Sequence, residues 1–343
     1  MSTFIIAEAG VNHNGDEGMA VELVDVAADS GADAVKFQTF SADRLTRRGA
    51  EKAAYQQRTT GAGDQYDMLK ALEMSESVHR RILERCALRN IEFMSTAFDE
   101  QSLDFLVSLG IKRIKVPSGE ITNTPFLRHM ASKGLPLIVS TGMASLAEVE
   151  DAVAVISEAR ARHGFSEALA EVVTILHCTS NYPAAASDVN LRAMLTIARS
   201  TGLPVGYSDH TAGIAVSTAA VAMNATVIEK HFTLDKTLAG PDHSASLEPA
   251  ELKALVDSIR EIEQALGDGT KQPTESELAV RAVVRRSVTT LREIAAGTPI
   301  GPDDVVLMRP GTGIPPAELD RVFGRVPKHM IAAGATLEWS HLE

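Results

Sequence analysis

Apolar, strand-like runs alternate with amphipathic or alanine-rich runs along the chain as far as Leu266. The apolar runs have the length and the β-branched content of buried strands, and the stretches between them have helical periodicity. The eight runs are TFIIAEAG (3–10), AVKFQTF (34–40), IEFMST (91–96), RIKVPSG (113–119), PLIVSTG (136–142), VVTILHCT (172–179), PVGYSDH (204–210) and TVIEKHF (226–232). Several helical stretches end in glycine just before an apolar run, as expected of loops from helix to strand. Eight successive βα units predict a (β/α)8 TIM barrel.

An open, doubly wound parallel sheet is the alternative fold for such an alternating pattern. That fold normally carries a GxGxxG fingerprint after its first strand. The corresponding residues here are EAGVNHNG (8–15), which lack the fingerprint. The barrel is therefore the favoured prediction.

The character of the sequence changes after Leu266. Residues 271–284 are polar and contain Pro273, which is typical of a linker. From residue 285 to 343 short strand-like pieces are separated by turns. We expect a barrel domain over residues 1–270, a linker over 271–284 and a small β-rich domain over 285–343. A domain of that size buries little surface alone, so it should pack on the barrel or on a second subunit.

Charge and composition exclude some classes of function. The formal net charge is −12, whereas a nucleic-acid interface requires a basic face. No apolar run approaches the length of a membrane span, and the N-terminus does not resemble a secretory signal. Cys86 and Cys178 are the only cysteines and form no CxxC motif, which suits a reducing compartment. These features predict a cytoplasmic protein.

Polar residues follow every predicted strand. In a barrel of this kind the active site lies at the carboxyl ends of the strands, so these side chains should share one site. In chain order they are Glu8, Lys36, Gln38, Ser95, Thr96, Lys115, Ser118, Glu120, Ser140, Thr141, His177, Thr179, Ser180, Ser208, Asp209, His210, Glu229, Lys230 and His231.

Two histidines end neighbouring predicted strands. His210 and His231 could hold a divalent metal, with Glu229 or Glu8 as an oxygen ligand or a hydrogen-bonding partner. Each imidazole could equally be a hydrogen-bonded structural group. The spacing alone leaves both alternatives open and does not identify the metal.

Two lysines lie in apolar surroundings, where an unpaired ammonium would be costly. Lys36 and Lys115 could converge with nearby hydroxyls into a cradle for phosphate or carboxylate. These hydroxyls belong to Thr96, Ser118, Ser140 and Ser208. A buried lysine could instead form a Schiff base, as in a class I aldolase. Both uses are compatible with the spacing.

Ten motifs together resemble the sialic acid synthase family, also called the nonulosonate synthases. They are FIIAEAGVNHNGD, GADAVKFQTF, FMSTAFD, KVPSGEITN, VSTGM, LHCTSNYP, GYSDHT, VIEKHFTLDK, GPDHSASLEP and RPGTGI. They occur in the family order from Phe4 to the C-terminal part of the chain.

The resemblance implies a fold and a reaction. The family fold is a (β/α)8 barrel followed by a SAF domain, related to type III antifreeze proteins and exchanged between the subunits of a homodimer. The reaction condenses phosphoenolpyruvate with an N-acylated mannosamine-type sugar, giving a nine-carbon 2-keto acid and phosphate. The expected cofactor is a divalent metal, normally Mn²⁺, with Mg²⁺ or Co²⁺ as alternatives.

The resemblance also implies roles for individual residues. His210 and His231 would bind the metal, and Glu120 or Glu8 would deprotonate or hold the attacking water. Positions around phosphoenolpyruvate are matched by Lys36, Thr96, Lys115, Ser118, Ser140, Ser180 and Ser208. Positions around the sugar are matched by Gln38, Tyr182 and Asp242, and Arg309 would reach into the site of the other subunit to contact the N-acyl group. Some family members have Asn at the position of Ser180.

The acceptor sugar is the main open choice. N-acetylmannosamine, which gives N-acetylneuraminate, is the first expectation, and 2,4-diacetamido-2,4,6-trideoxymannose, which gives N,N'-diacetyllegionaminate, is the alternative. Two remoter readings are the Schiff-base aldolase and a non-enzymatic ice-binding or polysaccharide-binding role for the tail. The concentration of candidate chemistry in the barrel argues against the last of these.

Overall fold

The computed structural model describes residues 2–343 and divides into two compact units, one ending at Gly267 and the other spanning Asp268–Glu343. The first unit is a closed barrel in which each parallel strand pairs with the next and the eighth pairs with the first. This confirms the predicted (β/α)8 architecture. The strands are β1 Phe4–Gly10, β2 Ala34–Thr39, β3 Glu92–Ala97, β4 Ile114–Val116, β5 Leu137–Ser140, β6 Val173–Cys178, β7 Val205–Asp209 and β8 Val227–His231.

Helices surround the barrel and fill its crossovers. They are α1 Glu17–Asp29, α2 Ala42–Leu45, α3 Ala54–Thr60, α4 Gln65–Ala71, α5 Glu76–Arg89, α6 Glu100–Ser108, α7 Thr124–Ala131, α8 Leu146–Arg162, α9 Leu169–Val172, α10 Ala186–Val189, α11 Ala193–Thr201, α12 Ala215–Ala222 and α13 Pro249–Leu266. Many begin with a side-chain cap, as at Ser145, where the N-cap hydroxyl and the Glu148 carboxylate form a capping box. None of the helices in residues 2–343 combines the length and apolar character needed to cross a membrane.

Strand side chains alternate between two apolar regions. The larger one lies between the strands and the helices. The smaller one fills the inside of the barrel below the strand ends and consists of Ile6, Ala34, Met94, Ile138, Leu176 and Val227, with Phe4 packed against them. Because the interior is packed with side chains, only the carboxyl ends of the strands remain to form a site.

The second unit contains α14 Glu275–Val284, a short antiparallel pair of strands, β9 Ser287–Thr290 and β10 Val305–Met308, and α15 Leu319–Val322. Its own small core includes Val288, Ile314 and Leu337. The segment predicted as a linker is therefore partly helical. Thr274 begins α14 with a capping box, because its hydroxyl accepts from the Glu277 amide while the Glu277 carboxylate accepts from the Thr274 amide.

Gly206 lies on β7 and faces the packed interior of the barrel, where there is no space for a side chain. A Cβ added there would lie 2.3 Å from the carbonyl oxygen of Val227 and 2.7 Å from Cδ2 of Leu176.

We therefore expect Gly206→Ala to lower the free energy of unfolding by about 1–3 kcal/mol through overpacking, measured by urea denaturation. Gly119→Ala is the control, since a Cβ at Gly119 meets nothing within 4 Å, and it should cause no loss. Equal stability of the two variants would contradict this account of the interior.

Candidate active site

A cavity of about 440 Å³ opens at the carboxyl ends of the barrel strands. Every strand contributes a residue to its wall or is followed by one. The strand residues are Glu8, Lys36, Gln38, Thr96, Lys115, Ser140, Cys178, Ser208, Glu229 and His231, and the residues just beyond strands include Ser118, Ser180, Tyr182 and His210. Since side chains two positions apart share a face, pairs such as Glu229 and His231 both point inward.

Four buried charges of alternating sign form the floor of the cavity. Oε2 of Glu8 lies 2.6 Å from Nζ of Lys36, which lies 3.6 Å from Oε2 of Glu229. Oε1 of Glu229 lies 3.2 Å from Nζ of Lys115. None of the four residues is more than 5% exposed. Two positive and two negative charges balance, which is the condition under which such groups tolerate burial.

Hydroxyl groups bond to three of these four charges. Nζ of Lys36 donates to Oγ1 of Thr96 at 2.9 Å, and Nζ of Lys115 donates to Oγ of Ser140 at 2.8 Å. The Ser208 hydroxyl donates to Oε1 of Glu229 at 2.8 Å. Seven of the polar residues predicted from the strand ends are thus brought into one bonded cluster. Other predicted residues do not line the cavity, namely Ser95, Thr141, His177, Thr179, Asp209 and Lys230.

The two carboxyl groups of the cluster differ in proton affinity. Burial raises the pKa of Glu8 to about 7, although Lys36 opposes the shift. Burial acts in the same direction on Glu229, but Lys115 and Lys36 outweigh it and hold the pKa of that carboxyl well below its usual range. Near neutral pH Glu229 is therefore ionised, while Glu8 can take up or release a proton.

The two lysines also differ. Burial acts to lower the pKa of Lys36, but the carboxylates of Glu229 and Glu8 outweigh it and raise the pKa. At Lys115 burial prevails over the attraction of Glu229, and the pKa is lowered. Lys36 is thus a firmly protonated cation that suits anion binding.

A second group of donors surrounds Gly142 beside Lys115. The backbone amide of Gly142 donates to Oγ of Ser118 at 2.9 Å. A Cβ at Gly142 would lie 2.1 Å from Oγ of Ser180 and 2.8 Å from Oγ of Ser118. Only glycine leaves room for both hydroxyls here. Together with the ammonium of Lys115, they form a cradle of the kind that binds phosphate or carboxylate oxygens.

The two imidazoles lie together at the rim, with their ring centroids 5.4 Å apart. Nδ1 of His210 donates to the carbonyl oxygen of Thr179 at 2.8 Å, so the other ring nitrogen is the one free to ligate. Burial lowers the pKa of His231 well below its usual range, which leaves a neutral ring, and its Nδ1 has no hydrogen-bond partner in the described part of the chain. Burial also acts to lower the pKa of His210, but Cys178 and the carbonyl oxygen of Thr179 outweigh it and raise that pKa. The neutral ring of His231 thus fits the predicted role of metal ligand directly, whereas His210 must first lose a proton from its ring.

Within residues 2–343 no three His, Cys, Asp or Glu side chains are grouped as a complete metal site. A cation held by the two imidazoles would therefore keep coordination positions for water or substrate oxygens, as catalytic metal sites do. The metal stays a prediction.

Aromatic rings form one side of the cavity. Tyr182 lies 4.2 Å from the His210 ring and stacks on Tyr55 at 5.1 Å between centroids. Asp242 lies behind them and is 7% exposed. Burial raises the pKa of Asp242 to about 6 against the opposing effect of His210, and the Asp242 charge in turn adds to the raised pKa values of both tyrosines.

Three residues with roles implied by the resemblance do not line the cavity. They are Asp242, Glu120 and Arg309. Glu120 is on a one-turn helix at residues 118–120, where its Oε2 accepts from Nδ2 of Asn123 at 2.6 Å. Arg309 belongs to the second unit and is exposed. Of the two carboxylates considered for handling water, only Glu8 is in the cavity wall.

The sequence analysis gave no role to Tyr55, Gln65 or Cys178, which also line the cavity. Tyr55 and Gln65 come from the crossover between β2 and β3, whose length exceeds that of an ordinary βα connection and was the available signal. Cys178 is an inward residue of β6 with Sγ 3.7 Å from Nδ1 of His210. Its strand parity could have placed it in the site.

Two protein-family models match most of this chain. The NeuB family model matches residues 23–271 and the SAF domain model matches residues 285–343. The N,N'-diacetyllegionaminic acid synthase of Legionella pneumophila is 55% identical over 100% of this chain and 95% of its own. The Campylobacter jejuni protein of the same name is 46% identical over 94% of this chain and 95% of its own.

A solved structure agrees. The N-acetylneuraminic acid (sialic acid) synthetase of Leptospira borgpetersenii, in complex with citrate, superposes with a TM-score of 0.70 and 35% identity, covering 82% of this chain and 90% of that one. The resemblance inferred from the motifs, the enzymatic nature of the protein and the small C-terminal domain are thereby confirmed. The chain belongs to the NeuB family of synthases and ends in a SAF domain.

Proposed function

We propose that the protein condenses phosphoenolpyruvate with 2,4-diacetamido-2,4,6-trideoxymannose to give N,N'-diacetyllegionaminate and phosphate. The observation that carries this proposal is the 55% identity, over the whole chain, to an N,N'-diacetyllegionaminic acid synthase. The sequence analysis placed N-acetylmannosamine first. The alternative acceptor now has the better support, since the neuraminate-type structure is more distant at 35% identity.

Phosphoenolpyruvate is the substrate that the anion-binding groups fit. It carries a carboxylate and a phosphate, and the cavity offers Lys36 with Thr96, and Lys115 with Ser140, as two separate cationic groups. The hydroxyls of Ser118 and Ser180 beside Gly142 add donors for phosphate oxygens.

The chemical steps require a proton acceptor in the cavity. C3 of phosphoenolpyruvate bonds to the aldehyde carbon, water adds at C2, and the resulting tetrahedral centre expels phosphate. Glu8 is the carboxylate in the cavity wall that can accept the proton of that water, and it can later return it to the leaving phosphate. Glu120 is less suited, since its carboxylate is already engaged by Asn123 outside the wall.

His210 and His231 are the residues that would hold a divalent cation, with Mn²⁺ as the first choice. Such an ion, when bound, supplies Lewis-acid polarisation of the sugar aldehyde. The two imidazoles themselves lie next to Tyr182, so they would orient the aldehyde end of the acceptor between the anion cradle and the aromatic wall.

The remaining residues shape the acceptor side. Gln38 and Tyr182 line the cavity, and the Asp242 carboxylate adjoins the tyrosines, where it can accept from a sugar hydroxyl. We also propose the homodimer with exchanged SAF domains, in which Arg309 of one subunit would contact the N-acyl group in the other. The free thiols of Cys86 and Cys178 support action in the cytoplasm.

A Schiff-base aldolase has little physical support. A lysine must lose its proton to attack a carbonyl. The two carboxylates beside Lys36 raise its pKa and keep it protonated. Burial lowers the pKa of Lys115, which favours loss of its proton, but its ammonium is bonded to Ser140 and Glu229, an arrangement that suits it to hold an anion.

The acceptor is tested by phosphate release and product mass spectrometry with Mn²⁺, phosphoenolpyruvate and each sugar in turn. We expect kcat/KM for the trideoxy diacetamido sugar to exceed that for N-acetylmannosamine by about tenfold or more, because a pocket discriminates sugars that differ in polar substituents. Equal or better turnover of N-acetylmannosamine would instead identify an N-acetylneuraminate synthase.

The metal role is tested with His210→Ala. We expect phosphate release to fall by at least about 100-fold and Mn²⁺ binding to be lost, because one of two protein ligands is removed. His177→Ala is the matched control, since His177 on the neighbouring β6 donates to the carbonyl oxygen of Val189 and does not contact the His210–His231 pair. Full activity of metal-free His210→Ala protein would remove the metal from the mechanism.

Asp242 predicts a pH dependence of acceptor binding. Its carboxyl becomes protonated as the pH falls below about 6 and then ceases to be a pure acceptor, so the KM for the sugar should rise there. In Asp242→Asn the sugar KM should be higher but independent of pH over this range. The KM for phosphoenolpyruvate is the internal control, and an unchanged pH profile in the Asn variant would exclude Asp242 as the titrating group.

A further inference from the structure

Asp209 and Lys230 are the outward-facing neighbours of the two imidazoles. Asp209 precedes His210 at the end of β7, Lys230 precedes His231 on β8, and the two residues pair across the strands. Because strand side chains alternate, they point away from the cavity into the layer between barrel and helices. Both are 1% exposed, and neither lines the cavity.

The Asp209 carboxylate is fully bonded in this layer. Its Oδ1 accepts from the amide and the hydroxyl of Thr211, both at 2.8 Å. Its Oδ2 accepts from the hydroxyl of Ser217 on α12 at 2.6 Å and lies 3.0 Å from Nζ of Lys230. Lys230 also donates to the carbonyl oxygen of Thr211. We call Asp209, Thr211, Ser217 and Lys230 the rim clamp.

The rim clamp encloses His210 in a closed circuit of bonds. The backbone before and after His210 is tied together through Asp209 and Thr211, and both are tied to Lys230. Lys230 is in turn the covalent neighbour of His231. The separation of the two imidazoles is thus held from outside the cavity, by groups that touch no substrate position.

Stability alone does not account for the buried ion pair of Asp209 and Lys230 in this layer. Apolar residues of similar size often stabilise such a position better than two charges do. One step earlier on the same outward face, the cross-strand pair is Tyr207 and Ile228, both part of the apolar core. The change from an apolar pair to a charged pair occurs where the strands deliver His210 and His231.

We propose that the rim clamp is a positioning device that fixes His210 and His231 at the separation required to bind a divalent cation. The inference rests on the metal role proposed above for these two residues. Asp209 and Lys230 act through their histidine neighbours and contact neither cation nor substrate.

The test is a Mn²⁺ titration of the full-length chain without substrates, with free Mn²⁺ followed by electron paramagnetic resonance. The variant is Asp209→Asn combined with Lys230→Met, which removes both charges and preserves side-chain size. We expect its Kd for Mn²⁺ to rise by about tenfold or more, as when groups behind metal ligands are removed. Its circular dichroism spectrum and its KM for phosphoenolpyruvate at saturating Mn²⁺ should stay close to those of the wild type.

The control is an ion pair at the opposite end of the barrel. Nε of Arg113 lies 2.7 Å from Oε1 of Glu92, although Arg113 is less buried than Lys230. Glu92→Gln combined with Arg113→Met removes a cross-strand pair far from the histidines and should leave the Kd for Mn²⁺ unchanged. If the rim clamp variant fails to fold, Thr211→Val removes a single donor to Asp209 and should still raise the Kd, by a smaller factor.

The outcomes separate this inference from the proposed function. A folded Asp209→Asn/Lys230→Met protein with the wild-type Kd would overturn the positioning role. Absence of Mn²⁺ binding by the wild type would overturn the metal assignment and the inference with it. Mn²⁺ binding that weakens in the variant, together with turnover of neither sugar by the wild type, would uphold the rim clamp and overturn the acceptor assignment alone.

Discussion

Two ammonium groups and two carboxylates lie within bonding distance of one another in the mouth of the barrel, and water reaches none of them freely. Their mutual neutralisation is the constraint on which the site depends, because an unpaired charge at such a depth would be too costly to retain. It explains how the ammonium groups of Lys36 and Lys115 can remain buried at the cavity floor. It also explains why the two carboxyl groups differ in pKa. Glu229 lies between both lysines and stays ionised. Glu8 contacts only Lys36, and burial together with the negative charge of Glu229 raises its pKa.

The barrel separates chemistry from support by the parity of each strand residue. On β7 and β8 the inward positions Ser208, Glu229 and His231 enter the cavity, and the outward positions meet the helices. A cavity group can therefore be braced from a dry layer without competing for space with the substrate. The same separation accounts for Gly206, where the interior leaves no room for a side chain, directly below the polar rim.

The strands and most of the site could be predicted from the sequence because both follow from local rules. A buried parallel strand is a short apolar run, and a polar residue at an inward position near its end enters the shared mouth, as Lys36, Lys115 and His231 do. Tyr55 could not be found in this way, since its contact with Tyr182 depends on how a long crossover folds back over the barrel. Glu120 illustrates the opposite failure: it follows a strand end, but a one-turn helix directs its carboxylate to Asn123. The helix Glu275–Val284 was not predicted, because the polar composition of this segment indicated a linker. The local signal for its start was the capping box between Thr274 and Glu277.

The position of Tyr55 on α3 has a consequence for how such enzymes can diversify. The charged floor of the cavity is built from strand residues whose neighbours are fixed by the barrel itself. Part of the cavity wall, proposed above to face the acceptor, belongs instead to a surface crossover, the kind of segment that tolerates insertion and replacement. Exchanging this crossover between relatives could therefore alter which sugar is accepted while the machinery that activates the three-carbon donor is inherited intact. Under the proposed function, the donor and part of the acceptor are thus bound by separately replaceable parts of the chain.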